Sequence, residues 1–342
     1  MLMTERTSRR SFMASTDNKP VITVLTAPDE ERPPGLDPLF ERASEVRFAW
    51  DAETLRQTLP GTHIMMVTDF RTEALREAWP CADALQWIHA TSAGVDALMF
   101  PELVNSEVTV TNAQGIFDRG IAEYVLCTIL MFAKDFPTSI RLQLQHQWKH
   151  RDTEKAKGSR VLVVGAGSIG REIARLTSAI GLEVHGIARR SRSDDPDFVA
   201  VHDNAALHDQ LGLADFVVIA APLTPATEKL FDASAFKAMK STARLINIGR
   251  GPIVDTQALV NALQNGDIAG VGLDVFEEEP LPSDHSLWAM DNAILTAHMA
   301  GDLIGWKAAL TEQFLENLAN REKGEALFNV VDKAFGYVPN RR

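Results

Sequence analysis

The stretch Val161-Leu162-Val163-Val164-Gly165-Ala166-Gly167-Ser168-Ile169-Gly170 constrains this chain more than any other. An apolar strand runs into G-x-G-x-x-G, and the next residues read as a helix with Ile169, Ile173, Leu176 and Ile180 on one face. Each glycine has its own physical task. Gly165 permits the tight turn, Gly167 lets a ligand approach the backbone, and Gly170 lets helix and strand pack closely. The helix terminus then presents free N–H groups and a partial positive charge to an anion. A bare G-x-G-x-x-G is common, but between a buried strand and a helix it points to a dinucleotide pyrophosphate.

Around this loop, strand-like and helical segments alternate. The second half carries strand candidates at 161–164, 183–187, 216–220, 244–248, 271–275 and 294–297, with a clear helix at 255–264. Six strands with crossovers predict a doubly wound parallel sheet of the Rossmann type. The first half has candidates at 21–25, 46–49, 63–67, 85–90 and 108–111, another βαβ pattern, and no glycine-rich phosphate loop. A long apolar helix is expected over 117–136 and ended by Pro137, followed by a polar arm with Trp148 up to Gly158. A final helix is expected to run to about Lys323. With 342 residues the chain is long enough for about two domains.

A net charge of −12 argues against nucleic acid as a partner, because such binding rests on basic residues neutralising phosphates. Two cysteines, Cys81 and Cys127, make no disulfide framework and suit a reducing compartment. Without an apolar run of about 18 residues no membrane span is expected. Ser8-Arg9-Arg10-Ser11-Phe12 resembles a twin-arginine export signal, but polar residues follow where such a signal needs an apolar stretch. Residues 1–19 are therefore read as a disordered tail and the protein as cytoplasmic. No metal site is expected.

An NAD-type ribose is usually held by an acidic residue at the end of the second strand. Here that position is Ala188, and Arg189-Arg190-Ser191-Arg192 follows. Guanidiniums and a hydroxyl suit a 2′-phosphate, each charge-assisted bond contributing roughly 1.5–3 kcal/mol. The expected cofactor is NADPH in preference to NADH.

Three further strand ends carry reactive side chains: Ile248-Gly249-Arg250-Gly251, Leu273-Asp274-Val275-Phe276-Glu277-Glu278-Glu279-Pro280, and Thr296-Ala297-His298. Ligands of open parallel sheets bind beyond the carboxyl ends of the strands, so these can converge. Arg250 offers a donor fork for a carboxylate, and His298 an imidazole that can give or take a proton. The residues alone do not choose among the three glutamates as the partner of His298.

With Ser92-Ala93-Gly94-Val95-Asp96, Asn112-Ala113-Gln114-Gly115 and Pro222-Leu223-Thr224 in the same order, the chain resembles the D-isomer-specific 2-hydroxyacid dehydrogenase family, which includes glyoxylate/hydroxypyruvate reductases and phosphoglycerate dehydrogenases. The resemblance implies that Arg250, Glu279 and His298 are catalytic. The cofactor site expected from the residues and the resemblance together is Gly165, Gly167, Ser168, Ile169, Gly170, Arg189, Arg190, Ser191, Pro222, Ile248, Gly249, Asp274 and Gly301, with the resemblance placing Asp274 at the nicotinamide carboxamide. Ala93 and Gly94, with Arg250 and His298, would bind substrate. The family often has proline where Ala297 stands.

The implied fold is a dinucleotide-binding domain over 113–299 and a discontinuous, flavodoxin-like substrate domain over 20–112 and 300–335, with a cleft between them. The implied activity moves a hydride between NAD(P)H and a small 2-keto acid such as glyoxylate or hydroxypyruvate, giving a D-2-hydroxy acid. A homodimer is expected. The alternative is a dinucleotide-sensing corepressor that binds without turnover, an analogy of fold alone.

Overall fold

The computed structural model describes residues 19–27, 32–68 and 72–339. The tail expected over 1–19 lies outside the described residues except for Lys19. In chain order the elements are β1 (Val21–Leu25), α1 (Asp37–Arg42), β2 (Glu45–Ala49), α2 (Ala52–Thr58), β3 (Ile64–Val67), α3 (Thr72–Ala78), β4 (Trp87–Ala90), α4 (Pro101–Val104) and β5 (Thr109–Thr111). Then come α5 (Asp118–Ala133), α6 (Phe136–Leu144), β6 (Arg160–Val164), α7 (Ser168–Ala179), β7 (Glu183–Ile187), β8 (Ala200–His202), α8 (Leu207–Leu211) and β9 (Phe216–Ile219). The chain closes with α9 (Ala233–Ala238), β10 (Arg244–Asn247), α10 (Thr256–Asn265), β11 (Gly270–Leu273), β12 (Ala293–Leu295) and α11 (Trp306–Glu322). The chain passes between two compact units at Ala113–Gln114 and returns at Trp306–Lys307.

The first unit is a parallel sheet in the order β2-β1-β3-β4-β5, the flavodoxin-like arrangement. Its strands alternate across the sheet as a two-residue period requires. Ile22, Val24, Ile64, Met66 and Trp87 pack with Phe314 and Leu318 of α11, while Leu25, Met65, Val67, Ile88 and Ala90 join Leu55 and Leu75 on the other face. The segment after α11 returns to the sheet. Val331 N donates to Val110 O at 2.8 Å, and Lys333 Nζ donates to the carbonyls of Leu103, Ser106 and Val108, which lie at the end of α4 and on the turn from it to β5.

The second unit is a seven-stranded parallel sheet ordered β12-β11-β10-β9-β6-β7-β8. The chain moves outward from β6 through β7 to β8, then crosses back to β9 on the other side. The switch point, where such sheets bind ligands, therefore lies between β6 and β9. Six strands are expected from the sequence, and β8 is the seventh. It is a three-residue edge strand with too short an apolar run to be read.

The expected helix 117–136 is in fact two. Asp135 takes a left-handed conformation (φ 49°) that ends the first, and α6 starts at Phe136 with Pro137 in its first turn. Proline does not stop a helix there, because its missing N–H would have no intrahelical acceptor in any case. Arg151 secures the break by donating to Asp135 Oδ2 at 2.5 Å and Asp135 O at 2.7 Å. Among the described residues no helix is long and apolar enough to cross a membrane.

Candidate active site

At the switch point the three glycines separate by role. Gly165 has φ 112°, and a Cβ there would lie 2.5 Å from the backbone of Ala220. A Cβ on Gly170 would lie 2.0 Å from Gly165 O, so this glycine serves helix–strand contact. A Cβ on Gly167 would meet nothing within 4 Å. Gly167 is also the N-cap of α7 and provides no side-chain cap, with Ser168 and Ile169 in the first turn. An open, uncapped helix terminus over a glycine loop fits a dinucleotide pyrophosphate. The backbone of Ala220 and Ala221 passes between Gly165 and Gly249, and Pro222 comes next, its carbonyl accepting from Thr227 Oγ1 at 2.7 Å.

At the end of β7, Ala188 donates its N–H to His202 O at 2.9 Å, and Arg189, Arg190 and Ser191 form an exposed tip. Arg192 is drawn away from that tip. It exchanges two backbone hydrogen bonds with Val201, and its Nε lies 3.2 Å from Asp195 Oδ2.

On the other half of the sheet, three neighbouring strand ends carry the reactive groups. After β10, Ile248 is buried, and the Asn247 side chain holds the turn by accepting from Gly249 N and donating to Arg250 O, each at 3.0 Å. Gly251 sits so close to the next loop that a Cβ would lie 1.9 Å from the Phe276 backbone. This brings Arg250 beside the segment 276–279. Arg250 Nη1 donates to Gly249 O at 2.8 Å.

Of the acidic triplet, Glu279 is the one that meets His298, with Oε2 and Nδ1 2.7 Å apart. Glu277 instead accepts from Thr256 N at 3.3 Å. Partial burial alone would raise the Glu279 carboxyl. Hydrogen bonds from His298 and Phe276 N–H and the charge of Arg250 outweigh it and hold the group below the ordinary carboxylate range. Ionised at neutral pH, Glu279 can only accept, so Nδ1 of His298 carries the hydrogen between them.

His298 itself has φ 51°, a conformation uncommon for a residue with a side chain. Asp274, 2 % exposed, holds it there. Asp274 O accepts from His298 N at 2.8 Å, Oδ1 accepts from Thr296 Oγ1 at 2.6 Å and Met299 N at 2.9 Å, and Oδ2 accepts from Ala300 N at 2.9 Å. Tyr124 OH pairs with Thr296 Oγ1 at 2.8 Å. These contacts make Asp274 the anchor of the His298 loop, a task the expected carboxamide contact leaves out. Gly301 likewise has a packing reason, since a Cβ there would lie 2.9 Å from the ring of Phe117.

Ala93 and Gly94 lie just after β4 in the first unit. The carbonyls of Ser92, Ala93 and Gly94 accept from Ala113 N at 3.0 Å, Asn112 Nδ2 at 2.5 Å and Ser92 Oγ at 2.7 Å. Asn247, Thr296 and Tyr124 are positioning residues that sequence reasoning missed. Asn247 and Thr296 sit at or beside the strand ends that carry Arg250 and His298, so proximity to the reactive residues was the available signal; Tyr124 had none.

Residues 126–300, about half of the chain, match the D-isomer specific 2-hydroxyacid dehydrogenase, NAD binding domain. Glyoxylate reductase from Thermofilum pendens is 33% identical over 263 residues, covering 75% of this chain and 78% of its own length. A D-isomer specific 2-hydroxyacid dehydrogenase from Xanthobacter autotrophicus, solved with NADPH and MES, is 31% identical with a TM-score of 0.78, covering 93% of this chain and 100% of its own. An NADPH-dependent glyoxylate/hydroxypyruvate reductase from Sinorhizobium meliloti, solved with NADP and sulfate, is 27% identical with a TM-score of 0.80, covering 94% and 100%. The chain belongs to the D-isomer specific 2-hydroxyacid dehydrogenase family and is an NAD(P)-dependent oxidoreductase.

Proposed function

We propose that this protein reduces a small 2-keto acid, with glyoxylate and hydroxypyruvate as first candidates, to the D-2-hydroxy acid, and that it prefers NADPH to NADH. The observation that carries the reading is the His298–Glu279 pair at 2.7 Å, with Arg250 close enough for its charge to act on Glu279. Similarity to reductases of these two acids supports the substrate class.

The Gly165–Gly170 loop would hold the pyrophosphate, Arg189, Arg190 and Ser191 the 2′-phosphate, and Pro222, Ile248, Gly249, Asp274 and Gly301 the nicotinamide half. When bound, the reduced cofactor supplies a hydride to the 2-keto carbon. Arg250 binds the substrate carboxylate through its fork and draws electron density toward the keto oxygen. His298 gives that oxygen a proton from Nε2, because Nδ1 is committed to Glu279. Glu279 orients the ring and offsets the positive charge of its protonated form. Ala93 and Gly94 keep the substrate-binding role that the resemblance implies.

We also propose a cytoplasmic homodimer. Phe136, Ile140 and Leu144 lie four residues apart on α6, 53%, 46% and 76% exposed, and Trp148 beyond them is fully exposed. An apolar stripe of this kind suits a second copy of the chain.

A panel of 2-keto acids assayed by absorbance with NADPH and with NADH tests the activity. Turnover of a small 2-keto acid, faster with NADPH, is the expected result. Flat traces across the panel would leave a binding-only protein, and equal rates with both cofactors would remove the preference.

A further inference from the structure

The tip Arg189–Ser191 is suspended between two backbone anchors on β8, Ala188 to His202 on one side and Arg192 to Val201 on the other. Beyond the tip, Asp195 and Asp197 tie the chain to α7. Arg171 donates to both oxygens of Asp195, from Nη1 at 2.9 Å and from Nη2 at 2.8 Å, and to Asp197 Oδ2 at 2.7 Å. Arg175 donates to Asp197 Oδ1 at 2.7 Å and Oδ2 at 3.1 Å. The two aspartate side chains are only 2% and 8% exposed. Asp197 N also donates to Asp195 Oδ1 at 3.1 Å, and the Phe198 ring lies 3.3 Å from where a Cβ of Gly186 on β7 would be.

Arg171 stands in the first turn of α7, immediately after the glycine loop. The helix whose N-terminus faces the pyrophosphate therefore also carries the anchor of the ribose-side tip. The ribose joins the pyrophosphate to a 2′-phosphate by only a few bonds, so their separation is confined to a narrow range. A protein that references both recognition elements to one rigid helix loses less freedom on binding.

We propose that the Arg171–Asp195 pair is a positioning device for 2′-phosphate recognition, holding residues 189–191 in the shape that receives the phosphate. This rests on the proposed preference for NADPH. Two physical effects could link the pair to a phosphate, and they differ in sign. A field effect would make loss of Arg171 weaken phosphate binding and loss of Asp195 strengthen it. A positioning effect makes both losses weaken it.

Calorimetric binding of 2′,5′-ADP and of 5′-AMP, which differ by the 2′-phosphate, separates these. Arg171→Met and Asp195→Asn should each weaken 2′,5′-ADP by about tenfold, the displacement of one charge-assisted bond, with far less effect on 5′-AMP. The NADPH/NADH ratio of kcat/KM should fall in parallel. Arg171→Lys keeps the charge but not the fork, so it should show the same loss, and it reads the point if Arg171→Met does not fold. Opposite signs for the two substitutions, or wild-type affinity in Arg171→Lys, would overturn the device. A wild-type protein that binds the two nucleotides equally would instead overturn the NADPH preference itself.

Discussion

The backbone N–H of His298 donates to the carbonyl of Asp274 at 2.8 Å, so the imidazole is carried by the neighbouring strand as much as by its own. The buried Asp274 carboxylate adds three more bonds to the same loop. Asp274→Asn turns one acceptor oxygen into a donor facing N–H groups. Leaving a buried group unsatisfied costs about 1–3 kcal/mol, and ångström-scale displacement of a reacting group costs up to ~10²-fold in rate. Both a lower Tm and a kcat reduced at least about tenfold are expected. Wild-type kcat in a destabilised variant would confine Asp274 to folding.

The His298–Glu279 pair predicts a graded loss. His298→Ala should lower kcat at least ~10²-fold, and Glu279→Gln less, because the imidazole stays but loses its counter-charge. Since Glu279 is held below the ordinary carboxylate range, it stays charged as pH falls through 4.5. The wild-type rate should therefore show no inflection from Glu279 until the pH is lower still. A pH–rate profile breaking at or above 4.5 and abolished by Glu279→Gln would contradict that environment.

Arg250→Lys separates charge from geometry. Lysine keeps the positive charge but cannot present two parallel donors to a carboxylate. KM for the keto acid should rise about tenfold or more, the equivalent of one lost charge-assisted bond. If KM and kcat were both unchanged, Arg250 would have no part in substrate binding.

How much of this was legible in the sequence depended on the range of the interactions. Apart from β8, the strands of both sheets are legible in the sequence, and Gly165–Gly170 shows its glycine spacing, because those signals are local. The strand β8 and the restart at α6 are set by partners elsewhere, His185–Ile187 on β7 in one case and Arg151 on Asp135 in the other. Glu279 could not be told from Glu277 and Glu278 by residue type, since what separates them is where the loop after β11 turns. Tyr124 reaches Thr296 across 172 positions, and no periodicity records such a pairing. The Arg171–Asp195 clamp is hidden for the same reason, each residue reading alone as an ordinary surface charge.

The exposed stripe on α6 gives an assembly prediction. Leu144, 76% exposed, is at its most open point, so Leu144→Glu should not disturb the fold. It would place a charge in any apolar interface formed there, where an unpaired charge is strongly disfavoured. Sedimentation should give a dimer for the wild type and a monomer for Leu144→Glu at the same concentration, with unchanged Tm extrapolated to low protein concentration. A wild-type monomer, or a variant that remains dimeric, would exclude this face.

His89 predicts an acid limit to stability that is independent of the active site. It is fully buried in the first unit, against the rings of Trp87 and Phe314, with Nδ1 2.8 Å from Thr111 Oγ1. Burial disfavours the charged ring and pushes its pKa down from 6.5 to about 3. The unfolded chain therefore binds this proton at a higher pH than the folded one does. The stability it contributes is complete above pH 6.5 and is lost progressively as pH falls toward about 3, at up to roughly 1.4 kcal/mol per pH unit. His89→Asn keeps a polar group near Thr111 but has no proton to gain. Its unfolding free energy, measured by denaturant titration, should be lower than wild type at pH 7 yet fall less steeply between pH 6.5 and 4. Parallel slopes would show that His89 is protonated in the folded state as readily as in the unfolded one.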